Sequence, residues 1–124
     1  MASSEASLFE FEIVIRGHHI YKGLWTPVLG ENLDVQREPS NPYDSRAVSV
    51  ERSGEVVGHV PREVRRTFFS FLTHGGNISC EVIGSRRYGK GLEVPCLYKF
   101  EGPEEAVLKA KKTLGMLKNC KNYS

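Results

Sequence analysis

Apolar and polar positions alternate from Phe9 to Ile15, with Phe9, Phe11, Ile13 and Ile15 on one face and Glu10, Glu12 and Val14 on the other. That period of two predicts a half-buried strand. Leu33 to Arg37 is a second alternating run, and Arg46 to Arg52, with Val48 and Val50 inward, is a third. Ser53-Gly54 provides the positive φ of a tight turn, after which Glu55 to Val60 returns as the partner strand. Ile78 to Tyr88 and Leu92 to Phe100 predict another hairpin around Gly89-Lys90-Gly91. Pro95 interrupts its return strand, and since proline cannot donate to a ladder it predicts an edge or a bulge, with the barrel opening there.

The period lengthens to that of a helix in two places. Pro61 suits a first helical position, and Val64, Phe68, Phe71 and Leu72 then share one side of a short helix ending at His74-Gly75-Gly76. The last helix starts at Pro103, carries Glu104 and Glu105 in its first turn, and aligns Val107, Ala110, Leu114 and Leu117. Five to six short strands and two helices, one of them between the strand pairs, predict a mostly β (α+β) fold: a small OB-like, partly open β-barrel. Residues 8–119 form the expected domain, with 1–7 a disordered leader and 120–124 a tail.

At 124 residues, a single domain should bury about two-thirds of the surface exposed by the unfolded chain, enough to fold without a metal or disulfide. Cys80, Cys96 and Cys120 are odd in number and form no C-x-x-C pair, and no signal-type apolar leader precedes them. The expected setting is therefore a reducing one, nuclear or cytoplasmic, and the expected state a monomer. No run reaches the roughly 18 apolar residues of a membrane span.

Catalytic signatures are absent from the sequence. It holds no G-x-S-x-G motif, no cysteine set beside a suitable histidine motif, and no glycine-rich phosphate loop. His18 and His19 would point to opposite faces of a strand, with no further ligand motif beside them. These features predict a non-enzyme without cofactor or metal.

A net charge of +2 is too small to mark a nucleic-acid binder, so placement must decide. Basic residues cluster at Arg62, Arg65 and Arg66, at Arg86, Arg87 and Lys90, and along Lys109, Lys111, Lys112, Lys118 and Lys121; each cluster alone reads equally well as a solvated face. The connection over residues 17–32 exceeds the dozen or so residues usual in compact domains, a length often associated with function.

The loop Asn41-Pro42-Tyr43-Asp44 is stiffened by Pro42 and by two side chains able to bond their own backbone. Read structurally, it is a turn between strands. Read functionally, Tyr43 offers a ring on which a base can stack, and Asp44 an acceptor for a sugar hydroxyl. Gly58-His59-Val60-Pro61-Arg62 complements it, because a helix beginning at Pro61 would aim unpaired N–H groups and Arg62 at a phosphate. His59, Arg65 and Arg66 are candidates on the same grounds, against the plainer readings of a strand histidine and a solvated face.

The run Arg37-Glu38-Pro39-Ser40-Asn41-Pro42-Tyr43-Asp44-Ser45-Arg46-Ala47-Val48, followed by Val57-Gly58-His59-Val60-Pro61, resembles the HIRAN domain family. The likeness runs from about Phe11, through Gly17 to Gly23, to the final helix near Leu117, with the domain standing alone. It implies a modified OB-type barrel that grips the 3′ end of single-stranded DNA in replication-fork remodelling or DNA repair. By the same resemblance Asn41, Tyr43 and Asp44 meet the terminal nucleotide and its 3′-hydroxyl, His59 and Arg62 approach the phosphate, and Tyr21 supplies a further aromatic. His19, Ile20 and Leu92 depart from the family pattern, which predicts weaker stacking, since each lost base stack is worth about 1–3 kcal/mol. The competing expectation is a protein-interaction domain that has lost its strand-end grip and docks a partner from a DNA-remodelling complex through Tyr21, Trp25 and Tyr88.

Overall fold

The computed structural model describes residues 6–17, 26–89 and 91–121; for residues 89, 91, 92 and 118–121 only the backbone is described. Tyr21, His19, Ile20 and Trp25 therefore lie outside the described residues, as does the side chain of Leu92.

Among the described residues, seven strands and two helices follow one another as β1 (Ser7–Ile15), β2 (Asn32–Glu38), β3 (Ala47–Arg52), β4 (Glu55–His59), α1 (Arg65–Thr73), β5 (Asn77–Val82), β6 (Arg87–Gly89), β7 (Gly91–Gly102) and α2 (Glu104–Lys121). The antiparallel sheet has the order β1-β7-β5-β2-β3-β4, with β6 pairing β7 alongside this path. Its two edge strands meet, among the described residues, at a single rung. Arg16 and His59 exchange both backbone hydrogen bonds at 2.8 Å, so the sheet curls almost into a barrel and stays partly open. This seam between β1 and β4, rather than Pro95, is where the barrel opens.

Pro95 acts differently. It sits on β7 between β1 and β5, opposite Val14, and its carbonyl accepts the Ile83 N–H at 3.0 Å. A strand residue points its N–H and C=O to the same side, so the missing donor of Pro95 faces the point where β5 stops. The β5–β7 ladder ends there. This divides the run from Ile78 to Tyr88 into β5 and the three-residue β6, joined by an irregular stretch containing Gly84.

The β3–β4 turn places both Ser53 (φ 51°) and Gly54 (φ 87°) in the left-handed region, the geometry that matches strand twist. Alternation fails at the end of β1, where Val14 and Ile15 are both buried, and along β3, where Ala47, Val48, Ser49 and Val50 are all buried. Buried Ser49 remains bonded, through Oγ, to the Gln36 carbonyl and to Glu51 Oε2.

Phe68 of α1 is fully enclosed and stands edge-on to Tyr98 and Phe100, with ring centroids 4.9 Å apart in both pairs. Phe71 meets Phe100 at 5.0 Å, while Val107, Ala110 and Leu114 bring α2 to the same core. Fully burying an aromatic or aliphatic side chain contributes roughly 1.5–3 kcal/mol, so this cluster fixes the position of α1 against the sheet.

Helix α1 begins later than its sequence suggests. The Pro61 carbonyl accepts from the N–H groups of Val64 and Arg65, making a turn, and Val64 occupies the N-cap without a side-chain hydrogen bond. Val64 is buried and Glu63 is held by Arg16, which together fix the turn and delay helical geometry. Arg62 thus lies in the lead-in turn, and the first helical residues are Arg65 and Arg66.

Candidate nucleic-acid interface

The loop between β2 and β3 is built by its own side chains. Pro39 leads a turn closed by the Asn41 N–H on the Glu38 carbonyl at 3.0 Å. Asn41 Oδ1 then accepts the backbone N–H groups of Tyr43 (2.8 Å) and Asp44 (3.1 Å), and Asp44 Oδ1 accepts that of Arg46 (3.0 Å). These local bonds replace a ladder and hold the loop rigid. Its tip is Tyr43, whose side chain is 95% exposed.

Two further links tie the loop to the barrel. Asn41 Nδ2 donates to Glu38 Oε1 at 3.2 Å, and the same oxygen lies 2.8 Å from His59 Nε2. A carboxylate only accepts, so Nε2 of His59 carries the hydrogen. On the other side Arg65 Nε lies 2.7 Å from Asp44 Oδ2. That oxygen is buried against the guanidinium, which balances its charge.

Arg65 sits at the N-terminal end of α1, whose first turn holds no acidic residue. A cation at the positive end of the helix dipole is unfavourable by about 0.3–1 kcal/mol, and Asp44 offsets this for Arg65.

Beneath the seam, Arg16 joins Glu63 through Nη1 and Glu93 through Nε, the latter at 3.1 Å. The hydrogen bond to Glu63, against a smaller desolvation effect and with help from Glu93, pushes the Arg16 guanidinium further into its charged form. The seam therefore has a charged side-chain clamp under its two backbone bonds.

Four of the expected residues, Asn41, Asp44, His59 and Arg65, belong to this bonded chain, and Tyr43 crowns it. Arg62 is exposed in the neighbouring turn. Arg66 is exposed too, but it lines a groove between α1 and α2 instead of facing the loop. Tyr21 lies outside the described residues. Glu38, the hub joining His59 to Asn41, was not among the expected site residues; its spacing of three from Asn41, across a proline turn, is the signal that could have marked it.

A curled, partly open sheet of OB-like form, with a rigid aromatic-tipped loop braced between its seam and a helix, defines the class of protein. The family model for the HIRAN domain matches residues 8–102, and the chain belongs to the HIRAN domain family. Among curated proteins it is similar to the helicase-like transcription factor of Mus musculus, 31% identical over 96 residues that cover 73% of this chain and 9% of that protein. The chain thus spans less than a tenth of the length of that relative. Among solved structures, the crystal structure of the HIRAN domain of human HLTF shares its fold at a TM-score of 0.72 and 24% identity, covering 91% of this chain and 93% of that one. The NMR structure of the HLTF HIRAN domain in its DNA-bound conformation gives 0.69 and 24%, covering 90% and 91%.

Proposed function

We propose that this chain is a DNA-binding module that grips the 3′-hydroxyl end of a single strand at the Asn41–Asp44 loop, in the setting of DNA repair or replication-fork remodelling. The observation that carries the reading is the Tyr43 ring, 95% exposed at the tip of a loop whose every turn is internally bonded. An aromatic face so displayed contributes nothing to the core and is available for base stacking. Beside it stands the Asp44 carboxylate, an acceptor that suits a terminal hydroxyl and repels a terminal phosphate. Arg62 and Arg65 flank the loop with guanidinium donors for the phosphate one step back along the strand, while His59, bonded to Glu38, holds the loop to the seam. Membership of the HIRAN family supports the reading, as does the DNA-bound state of a structural neighbour.

Fluorescence anisotropy with short single strands tests it. Strands ending in a 3′-hydroxyl are expected to bind at least tenfold more tightly than the same strands ending in a 3′-phosphate, and Asp44→Ala is expected to erase that difference. Tyr43→Ala should weaken both by about 1–3 kcal/mol, the worth of one stack. Equal affinity for the two ends, or no binding at low salt, overturns the proposal.

A further inference from the structure

Helices α1 and α2 enclose a groove of about 640 Å³ that the loop site does not use. This is within the range of pockets that hold a nucleotide-sized ligand. Arg46, Arg66 and Lys109 line it against a single carboxylate, Glu105. All three cations are exposed, and none forms an ion pair among the described residues. Ser70 and Thr113 add hydroxyl groups to its walls. An excess of unpaired cations over carboxylates, with hydroxyl donors between them, selects an anionic occupant.

The groove adjoins the loop through covalent neighbours. Arg46 hangs from the backbone N–H that Asp44 Oδ1 accepts, and Arg66 follows Arg65, the ion-pair partner of the same Asp44. A strand whose last nucleotide lies at Tyr43 therefore has the groove within reach of the nucleotides that precede it.

We infer that the α1–α2 groove is a second subsite, holding the sugar–phosphate backbone of the nucleotides upstream of the strand end, with Arg46, Arg66 and Lys109 as its phosphate contacts. This rests on the strand-end reading and extends it. The loop recognises the end, and the groove gives affinity that grows with strand length.

The test compares strands of about three and about ten nucleotides, the longer one covering a typical single-strand footprint, with the same 3′-hydroxyl end. The wild-type protein is expected to bind the longer strand at least tenfold more tightly. The double variant Arg66→Ala/Lys109→Ala should lose that gain and keep its affinity for the short strand. Its salt dependence for the long strand should be shallower by about 1.4 in log–log slope, for two lost phosphate contacts. Both positions are exposed, so a melting temperature close to that of wild type is expected and is checked first. Glu105→Gln removes the opposing carboxylate and should strengthen long-strand binding a few-fold without altering the short strand. A wild-type affinity that does not rise with length, or a double variant that keeps the rise, overturns the groove and leaves the strand-end reading standing. Absence of binding at both lengths overturns both. Loss of phosphopeptide binding in the double variant, with strand binding unchanged, assigns the groove to a protein ligand and overturns the inference.

Discussion

Asp44 Oδ2 lies 2.7 Å from Arg65 Nε, and this one contact joins the β2–β3 loop to the start of α1. Both side chains are about three-quarters buried, at 23% and 25% exposure, so the pair is less screened than a surface ion pair. Removing either partner leaves the other charge uncompensated in a partly desolvated place.

A double-mutant cycle measures this link. Asp44→Asn and Arg65→Gln are each expected to lower stability by about 1 kcal/mol, while the double variant loses little more than one single variant does. Urea denaturation at low salt reads the result. Strictly additive losses would show that the two side chains do not support each other.

The barrel seam makes a second prediction. A Cβ added at Gly58 would lie 2.2 Å from Ile15 Cγ2 and 3.0 Å from the Arg16 carbonyl oxygen, beside the rung that joins β1 to β4. Ile15 is fully buried and has no room to yield. Gly58→Ala is therefore expected to lower stability by about 1–3 kcal/mol, the range for an overpacked core. Ile15→Ala makes space for the new methyl, so the double variant should be more stable than the sum of the two singles. Since His59 follows Gly58, the single variant should also weaken the His59–Glu38 bond and, with it, strand binding. Thermal melts of the three variants check the first part, and a Gly58→Ala protein as stable as wild type contradicts it.

The Cys80 thiol gives a pH dependence. Cys80 is buried on β5, and its hydrogen bond with Cys96, followed by burial, pushes its thiol far above the usual range. In the unfolded chain the same thiol ionises near its ordinary value of about 8.5. The unfolded state therefore loses its proton first. The stabilising contribution is complete below that value and is lost progressively as pH rises above it. By pH 10 the loss should reach about 2 kcal/mol, at about 1.4 kcal/mol for each pH unit above the unfolded value. Melting temperatures measured from pH 7 to 10 should fall more steeply for wild type than for Cys80→Ala. Iodoacetamide should leave Cys80 unlabelled until the protein unfolds, and rapid labelling of Cys80 in the native state contradicts the assignment.

Most of the fold was legible in the period of apolar positions, because one buried face per element leaves its mark on sequence. Phe68, Phe71 and Val107 are buried where the helical period puts them. What could not be read was tertiary. Ala47 and Ser49 alternate as if outward-facing, yet both are buried, since β3 is covered on both faces. The split after β5 depends on where Pro95 falls in a register set by other strands. At the candidate site, the stiff turn of Asn41, Tyr43 and Asp44 was legible because its hydrogen bonds are local. The partnerships of Asp44 with Arg65 and of Glu38 with His59 span about twenty residues and exist only in the folded chain. Arg66 looked equivalent to its neighbour Arg65; one step around the helix axis turns it to a different surface.

Tyr43 touches so little of the rest of the molecule that its side chain is nearly irrelevant to folding. Selection can therefore change that ring without endangering the scaffold, and the scaffold can drift without moving the ring. The loop's internal bonds preserve the display whichever residue occupies its tip. A lineage of such domains can retune what it holds through single substitutions at one position, each judged almost wholly on binding.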